Sequence, residues 1–162
     1  MPFPLPSSGR LAAVLGAIAL SSVVLTGCSL LEGPTPETPK REAPEPPPSA
    51  PELVPDGSAA DNLPYFTEVL RAFSAGDQPV QGVPVVDAVV DAGFDKSLMQ
   101  VSFDESKTGL AADSIFVSVR IGVDCLIGQV VAEDRSFVAE AKPAVGPAQD
   151  ICLIGNTRPI DW

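Results

Sequence analysis

Residues 115–131 read IFVSVRIGVDCLIGQVV, and their pattern predicts two β-strands joined by a turn. Within Ile115–Ile121 apolar residues occupy every second position, with Phe116 among the residues between them, which is the period of a β-strand with one buried face. Gly122 then favours a turn, and residues 125–131 form a short apolar run typical of a second strand. Because the link between them is short, the two strands are predicted to pair antiparallel.

Further strands are predicted on both sides of this hairpin. Before it, Met99, Val101 and Phe103 alternate with other residues, again with the period of a half-buried strand. After it, residues 137–142 fit either a strand or a helix, and residues 151–155 predict the last strand. Consecutive strands with short links indicate an antiparallel sheet of four or five strands.

Two helices are predicted before the sheet. The first is capped by Asp61 or Asn62, has Pro64 near its start, and carries an apolar stripe at positions 63, 66, 70 and 73. The second begins near Pro84, carries a valine stripe at positions 85, 86, 89 and 90, and ends at Gly93. The chain therefore predicts an α+β domain over residues 58–162, in which two N-terminal helices cover one face of the sheet.

The composition excludes several classes of function. Lys and Arg number 10 against 21 Asp and Glu, a net charge of −11, which argues against nucleic acid as a partner. The His count is 0, which removes the Ser-His-Asp and Cys-His arrangements and most transition-metal sites. Asp87 and Asp91 share a helix face, but two carboxylates without a third ligand hold no cation firmly. We therefore expect no metal site and no cofactor.

The N-terminal residues predict an export signal. Arg10 precedes an uncharged apolar run, Leu11–Leu25, whose length of about 15 residues suits a secretory signal better than a membrane span. Leu25-Thr26-Gly27-Cys28 follows and looks like a bacterial lipobox, in which the Cys thiol accepts diacylglycerol. The sequence thus predicts a signal peptide over residues 1–27 and lipidation of Cys28. Such an anchor places the mature chain on the outer face of the cytoplasmic membrane.

A proline-rich tether is predicted between the anchor and the domain, over residues 28–57. Nine of the 18 prolines lie within residues 33–56, which read GPTPETPKREAPEPPPSAPELVPD. With little to bury and few backbone donors, such a segment is expected to be disordered and to favour polyproline II, reaching roughly 75 Å at most. We expect a stalk that holds the domain away from the bilayer.

The three cysteines suit an exported chain once Cys28 is assigned to lipid. Cys125 and Cys152 remain, an even pair in an oxidising compartment, and each begins the same tetrapeptide, Cys-Leu-Ile-Gly. If the two tetrapeptides lie on adjacent strands the sulfurs can meet, so we predict a structural disulfide. A redox-active pair is the alternative, but neither a Cys-x-x-Cys motif nor an adjacent base is present to lower a thiol pKa.

Few residues remain as candidates for catalysis. Lys107-Thr108-Gly109 matches a triplet of penicillin-recognising enzymes, but the Ser-x-x-Lys motif that accompanies it is absent, so a turn between strands is the better interpretation. Asp104 and Glu105 could supply acid–base chemistry, although adjacent residues at a strand end usually point apart.

The C-terminal residues Arg158, Asp161 and Trp162 suggest two interpretations. In the first, Trp162 folds back onto the edge of the core while Arg158 pairs with Asp161 or with the terminal carboxylate. In the second, the three residues form an exposed binding patch, since Trp and Arg dominate binding hot spots.

Four stretches together resemble a known family: AGFDKSLMQVSFD, GLAADSIFVSVR, CLIGQ and the closing CLIGNTRPIDW. They are similar to a family of uncharacterised actinobacterial lipoproteins, a domain of unknown function, over roughly residues 80–162. The resemblance implies a lipoprotein in the envelope of a high-GC Gram-positive cell, and it carries no activity or catalytic residues.

These observations predict a lipid-anchored extracytoplasmic lipoprotein whose domain is a non-catalytic binding or accessory module of the cell envelope. Its expected partners are the membrane, through the lipid anchor, and an envelope protein or cell-wall component. The alternative is a small envelope hydrolase that uses carboxylates. A concave apolar cleft with two facing acids would favour the hydrolase, and a flat aromatic patch would favour binding.

Overall fold

The computed structural model describes residues 45–46 and 48–162. The predicted signal peptide, the lipidation residue Cys28 and most of the predicted tether lie outside the described residues. None of the helices in the described part of the chain is both long and apolar enough to cross a membrane.

The described residues form an α+β fold with two helices before a four-stranded antiparallel sheet, as predicted. The strands follow one another in the order β1-β2-β3-β4, and each pairs with its neighbours in sequence. In chain order the elements are α1 (Ala59–Ala75), α2 (Gly82–Asp91), a 3₁₀ turn (Lys96–Leu98), β1 (Met99–Val101), β2 (Ser114–Ile121), β3 (Asp124–Val131) and β4 (Phe137–Pro143). Residues 137–142, for which strand and helix were both open, belong to a strand.

The first helix begins earlier than its sequence suggests, and the predicted cap at Asp61 or Asn62 is wrong. Ser58 is the N-cap: its Oγ accepts the Asp61 amide at 3.2 Å, and the Asp61 carboxylate accepts the Ser58 amide at 2.9 Å. This reciprocal capping box satisfies two amides that the first helical turn leaves free. Asn62 is instead buried and holds the preceding chain against the helix, since its Nδ2 donates to the carbonyl of Val54 at 3.0 Å. Pro64 consequently lies inside the helix.

The core lies between the helices and one face of the sheet. Its fully buried members come from both helices and from β1 to β4, and include Phe66, Leu70, Val85, Val86, Val89, Val101, Ile115, Val117, Val119, Leu126, Val130 and Phe137. Gly128 of β3 lets α1 approach closely, because a Cβ there would stand 2.5 Å from Cδ1 of Leu70. The predicted stripes on α1 and α2 thus face the sheet. The helices cover one face of the sheet and do not cover the other.

The predicted last strand over residues 151–155 is wrong. Only one bridge forms there, between Val145 and Ile151. The amides of Cys152 and Leu153 both donate to Oε1 of Gln100, at 3.0 and 2.9 Å. Successive amides of a strand point to opposite sides, so two that share one acceptor cannot continue a strand. The segment instead crosses the sheet face as irregular chain.

Candidate functional site on the outer face of the sheet

The face of the sheet opposite the helices, here called the outer face, is partly covered by the segment of residues 144–157. A disulfide between Cys125 and Cys152 ties this segment to β3 and confirms the predicted bond, with Cα atoms 5.6 Å apart. Both cysteines are buried, together with Ala144 and the partly buried Ile127. Because the sulfurs are enclosed, the geometry fits a structural role rather than thiol exchange.

Gln100 of β1 is the second attachment point of this segment. Besides accepting the amides of Cys152 and Leu153, its side chain donates from Nε2 to the carbonyl of Asp150 at 3.1 Å. One amide side chain therefore forms hydrogen bonds with three backbone groups that would pair with a neighbouring strand if this segment were part of the sheet. Sequence reasoning missed this role, although a Gln on the outward-facing side of a predicted strand was the available signal.

Two neighbouring clefts lie beside the segment and share Phe116. The larger, of about 320 Å³, is lined by Ser102, Phe116, Cys152, Leu153, Ile154, Asn156 and Thr157. The smaller, of about 190 Å³, is lined by Phe116, Ile127, Gln129, Val138 and Glu140. We call the two together the outer-face groove.

The groove combines exposed apolar surface with a few hydrogen-bonding groups. Ile154 is 90% exposed and Phe116 is 38% exposed, although both are large apolar residues. The lining of the larger cleft adds hydroxyl and amide side chains but contains no Asp, Glu, Lys or Arg. Such a surface can hold an apolar ligand and orient it through a few polar contacts. The sequence placed Phe116 outside the core but did not connect it with the C-terminal segment.

The structure brings together two of the three residues of the predicted C-terminal patch. The guanidinium carbon of Arg158 lies 4.8 Å from the centre of the Trp162 indole, and Nζ of Lys96 lies 4.9 Å from it. The indole Nε1 donates to Asp87 at 3.0 Å, and Lys96 also donates to the backbone carbonyl of Trp162. The aromatic ring is 37% exposed but lies between two cations. Asp161 is exposed and takes no part in these contacts.

Arg158 pairs with Asp104, so the predicted pairing with Asp161 or the terminal carboxylate is wrong. Its Nη1 donates to Asp104 at 2.6 Å, and the same carboxylate accepts the Gly82 amide at 2.5 Å. Because Asp104 follows β1 and Gly82 begins α2, the contact joins the C-terminal segment to two elements at once. The partner lies 54 residues away in sequence, which local patterns cannot reveal.

The other candidates have structural roles in the described residues. Lys107-Thr108-Gly109 forms the predicted turn, closed by hydrogen bonds between Ser106 and Leu110 at 2.8 Å and between Gly109 and Ser106 at 3.0 Å. Asp87 contacts Lys96 and the indole of Trp162, and no group of three His, Cys, Asp or Glu that could hold a metal ion occurs among the described residues.

Among the carboxyl groups of residues 45–46 and 48–162, two have a clearly shifted pKa, and both act as caps away from the groove. Hydrogen bonds from Ser58 lower the pKa of Asp61, and hydrogen bonds from Ser97 lower the pKa of Asp95. The Asp95 side chain accepts the Ser97 amide at 2.9 Å and so caps the 3₁₀ turn. These shifts therefore report helix capping rather than proton transfer chemistry.

Fold and site together define a small disulfide-bonded α+β domain whose distinguishing feature is a partly covered sheet face with an apolar groove. Residues 70–156 match the family described as Domain of unknown function (DUF6993), and the chain belongs to that family. The resemblance to an uncharacterised family is thereby confirmed. The matched residues include both cysteines of the disulfide, Gln100 and Phe116, and end before Arg158. No curated protein and no solved structure matches the chain.

Proposed function

We propose that this chain is a lipid-anchored lipoprotein of the cell envelope whose domain is a non-catalytic binding module, and that the outer-face groove is its binding surface. The anchor is supported by Leu11–Leu25 and the following Leu-Thr-Gly-Cys motif that ends at Cys28. The binding role is carried by one observation, the exposure of Phe116 and Ile154 beside an apolar cleft. Neighbouring apolar side chains that are exposed beside a cleft are typical of interaction sites and ligand-binding grooves.

We favour the groove over the C-terminal patch as the binding surface because the side chains of the patch already have partners within the domain. Arg158, Lys96 and Trp162 already contact one another or a carboxylate, so a ligand would have to displace internal contacts. Phe116 and Ile154 have no such competing contacts to give up, and burying them would remove apolar surface from water.

The carboxylate hydrolase remains the alternative, and the arrangement of its acids gives it no support. Asp104 is bound by Arg158 and by the Gly82 amide, which leaves that carboxylate poorly placed to exchange a proton with a substrate. Glu105 is exposed and lines a separate cleft that has no second acid in its lining. The larger apolar cleft has no acid in its lining.

Intact mass of the membrane-extracted protein tests the anchor. We expect a species that begins at diacylated Cys28 and has no alkylatable thiol until it is reduced. An unprocessed chain, or a chain with free thiols before reduction, would contradict both the export and the lipidation.

Site-specific photo-crosslinking in the native cell tests the groove. A photoreactive residue in place of Ile154 should capture a defined envelope component, because that side chain is 90% exposed at the cleft. Val123, which is 55% exposed in the β2–β3 turn, gives the matched control position. Adding Phe116→Ala should reduce capture at Ile154. Equal capture at both positions would show that the groove is not the binding surface.

A further inference from the structure

The hydrogen bonds of the β3–β4 pair show which backbone groups of β4 face its neighbour. The Val131 amide donates to the carbonyl of Ser136 at 2.8 Å, and the Ala144 amide donates to the carbonyl of Val123 at 2.8 Å. Hydrogen-bonded pairs occur at every second position of an antiparallel ladder. In the observed register, residues 138, 140 and 142 therefore also direct their backbone groups towards β3.

The residues between them leave an open edge. Phe137, Ala139 and Ala141 direct their amides and carbonyls away from β3, and no backbone group of the described residues bonds to them there. The opposite edge is different, because the Arg158 amide donates to the carbonyl of Val101 on β1 at 2.9 Å. The described sheet therefore has one long open edge, and an open edge is a template for another strand.

The side chains of β4 on the outer face are self-complementary. Glu140 and Lys142 lie on that face, one on each side of Ala141; they pair with each other at 3.2 Å within one copy, and both side chains are more than half exposed. If two copies pair antiparallel about a two-fold axis at Ala141, each Glu140 lies opposite Lys142 of the second copy. An axis at Glu140 would place that carboxylate opposite itself, and an axis at Ala139 would place it opposite Val138. Opposite charges across strands stabilise a pair and like charges destabilise it.

We propose that a second copy of this chain pairs with β4 about an axis at Ala141, giving a two-fold dimer with a continuous eight-stranded sheet. The two Ala141 residues exchange amide and carbonyl bonds, and each Ala139 amide donates to the carbonyl of Pro143 in the second copy. Pro143 lacks an N–H and ends the pairing. Because the described sheet of each copy has one open edge, association through it closes at two chains and does not extend into a fibre.

The dimer would complete the outer-face groove and so rests on the proposed function. Glu140 lines the smaller cleft, so Lys142 of the second copy would add a cation to the rim of that cleft. Strand pairing with four backbone bonds makes a small interface, which associates weakly between free molecules. Anchoring both copies to one membrane raises their effective concentration and favours pairing there.

Thiol cross-linking of the full mature protein in its own membrane tests the dimer. Ala141→Cys should give a covalent dimer with a short thiol-specific reagent, because paired strands bring these Cα atoms to about 5.5 Å. Ala111→Cys, at an exposed alanine in the loop between β1 and β2, is the matched control and should remain monomeric. In the Ala141→Cys protein, Glu140→Lys should lower the dimer yield on the order of tenfold, and adding Lys142→Glu should restore it.

Each outcome decides the question. A dimer that is lost and then restored by the two charge changes supports the pairing. Absence of a dimer at Ala141, a cross-link to a different protein, or a dimer indifferent to the charge changes would overturn it. The mass of the extracted protein is read from the same sample. A chain without diacylated Cys28 would show that the proposed anchor fails, whereas an anchored but monomeric chain would show that only the dimer fails.

Discussion

Arg135, which is distant from α1 in sequence, caps the C-terminal end of that helix. It lies between β3 and β4, and its guanidinium donates to the carbonyls of Phe73, Ser74 and Gln78 at 2.7 to 2.8 Å. The Ser74 hydroxyl donates back to the carbonyl of Arg135. The guanidinium also lies 5.5 Å from the centre of the Phe73 ring. One side chain therefore satisfies carbonyls that the last helical turn leaves free and neutralises the negative end of the helix dipole.

Replacing Arg135 by Ala should lower the free energy of unfolding by about 2–3 kcal/mol. A hydrogen bond to a charged group contributes about 1.5–3 kcal/mol, but water replaces much of this at a half-exposed site. The interaction of a cation with the helix terminus adds about 0.3–1 kcal/mol. In a domain of this size, the loss corresponds to a fall in Tm of roughly 10–20 °C.

Two further variants separate the causes. Arg135 has a φ of 58°, which is unfavourable for any residue with a Cβ, so Arg135→Gly should cost about 1 kcal/mol less than Arg135→Ala. Arg135→Lys keeps the charge but not the planar fork of donors, and should lie between the wild type and the Ala variant. Urea titration followed by far-UV circular dichroism measures all three, since urea does not screen charges.

A loss below about 0.5 kcal/mol for Arg135→Ala would show that the contacts of Arg135 contribute little to stability, because surface substitutions away from specific contacts have effects of that size. If the Lys variant were as stable as the wild type, the charge would matter and the three hydrogen bonds would not. If the Gly and Ala variants had the same free energy of unfolding, the left-handed backbone conformation at position 135 would carry no energetic cost.

Three other features give further predictions. Reducing the Cys125–Cys152 bond should lower the free energy of unfolding by about 3.5 kcal/mol, because the unfolded chain is then no longer constrained by a loop spanning 27 residues. Urea titrations with and without reductant measure this loss, and identical midpoints would contradict it. Gly128→Ala should lower the free energy of unfolding by about 1–3 kcal/mol, since its Cβ would meet Leu70. Gly76→Ala is the control, because the added Cβ would lie 3.4 Å from the carbonyl oxygen of Phe73. Asp61 has a lowered pKa, so its contribution to stability is present above the ordinary Asp pKa and is lost as the pH falls through the lowered value. Asp61→Asn should therefore flatten the loss of stability below about pH 4, and an unchanged acid profile would argue against this.

The sequence predicted those parts of the fold that local patterns determine. Alternation across residues 115–121 requires a strand whichever partners it finds, and the stripe that includes Phe66 and Leu70 requires a buried helix face. The two Cys-Leu-Ile-Gly tetrapeptides mark the limit of this reasoning. At Cys125 the tetrapeptide lies in β3, whereas at Cys152 the same four residues form irregular chain. Tertiary contacts, here the disulfide and Gln100, decided between the two conformations.

The candidate site was less predictable because its contacts join distant parts of the chain. Arg158 and Trp162 were identified as a group from their residue types and proximity, but their partners on α2 and after β1 were not. The groove was missed altogether. It requires Phe116 on β2 and Ile154 on the crossing segment to lie together, and no periodicity records that arrangement.

Salt dependence separates ligand binding in the outer-face groove from the pairing of two copies at the edge of β4. Neither cleft of the groove has a basic side chain in its lining, and both Arg158 and Lys142 have carboxylate partners, Asp104 and Glu140 respectively. The lining of the larger cleft carries no charge, so binding there depends on apolar burial and should change little with moderate salt. Pairing of two copies depends on exposed charges, and screening should weaken it. A groove ligand whose affinity falls steeply with salt would therefore be held by charges outside the larger cleft.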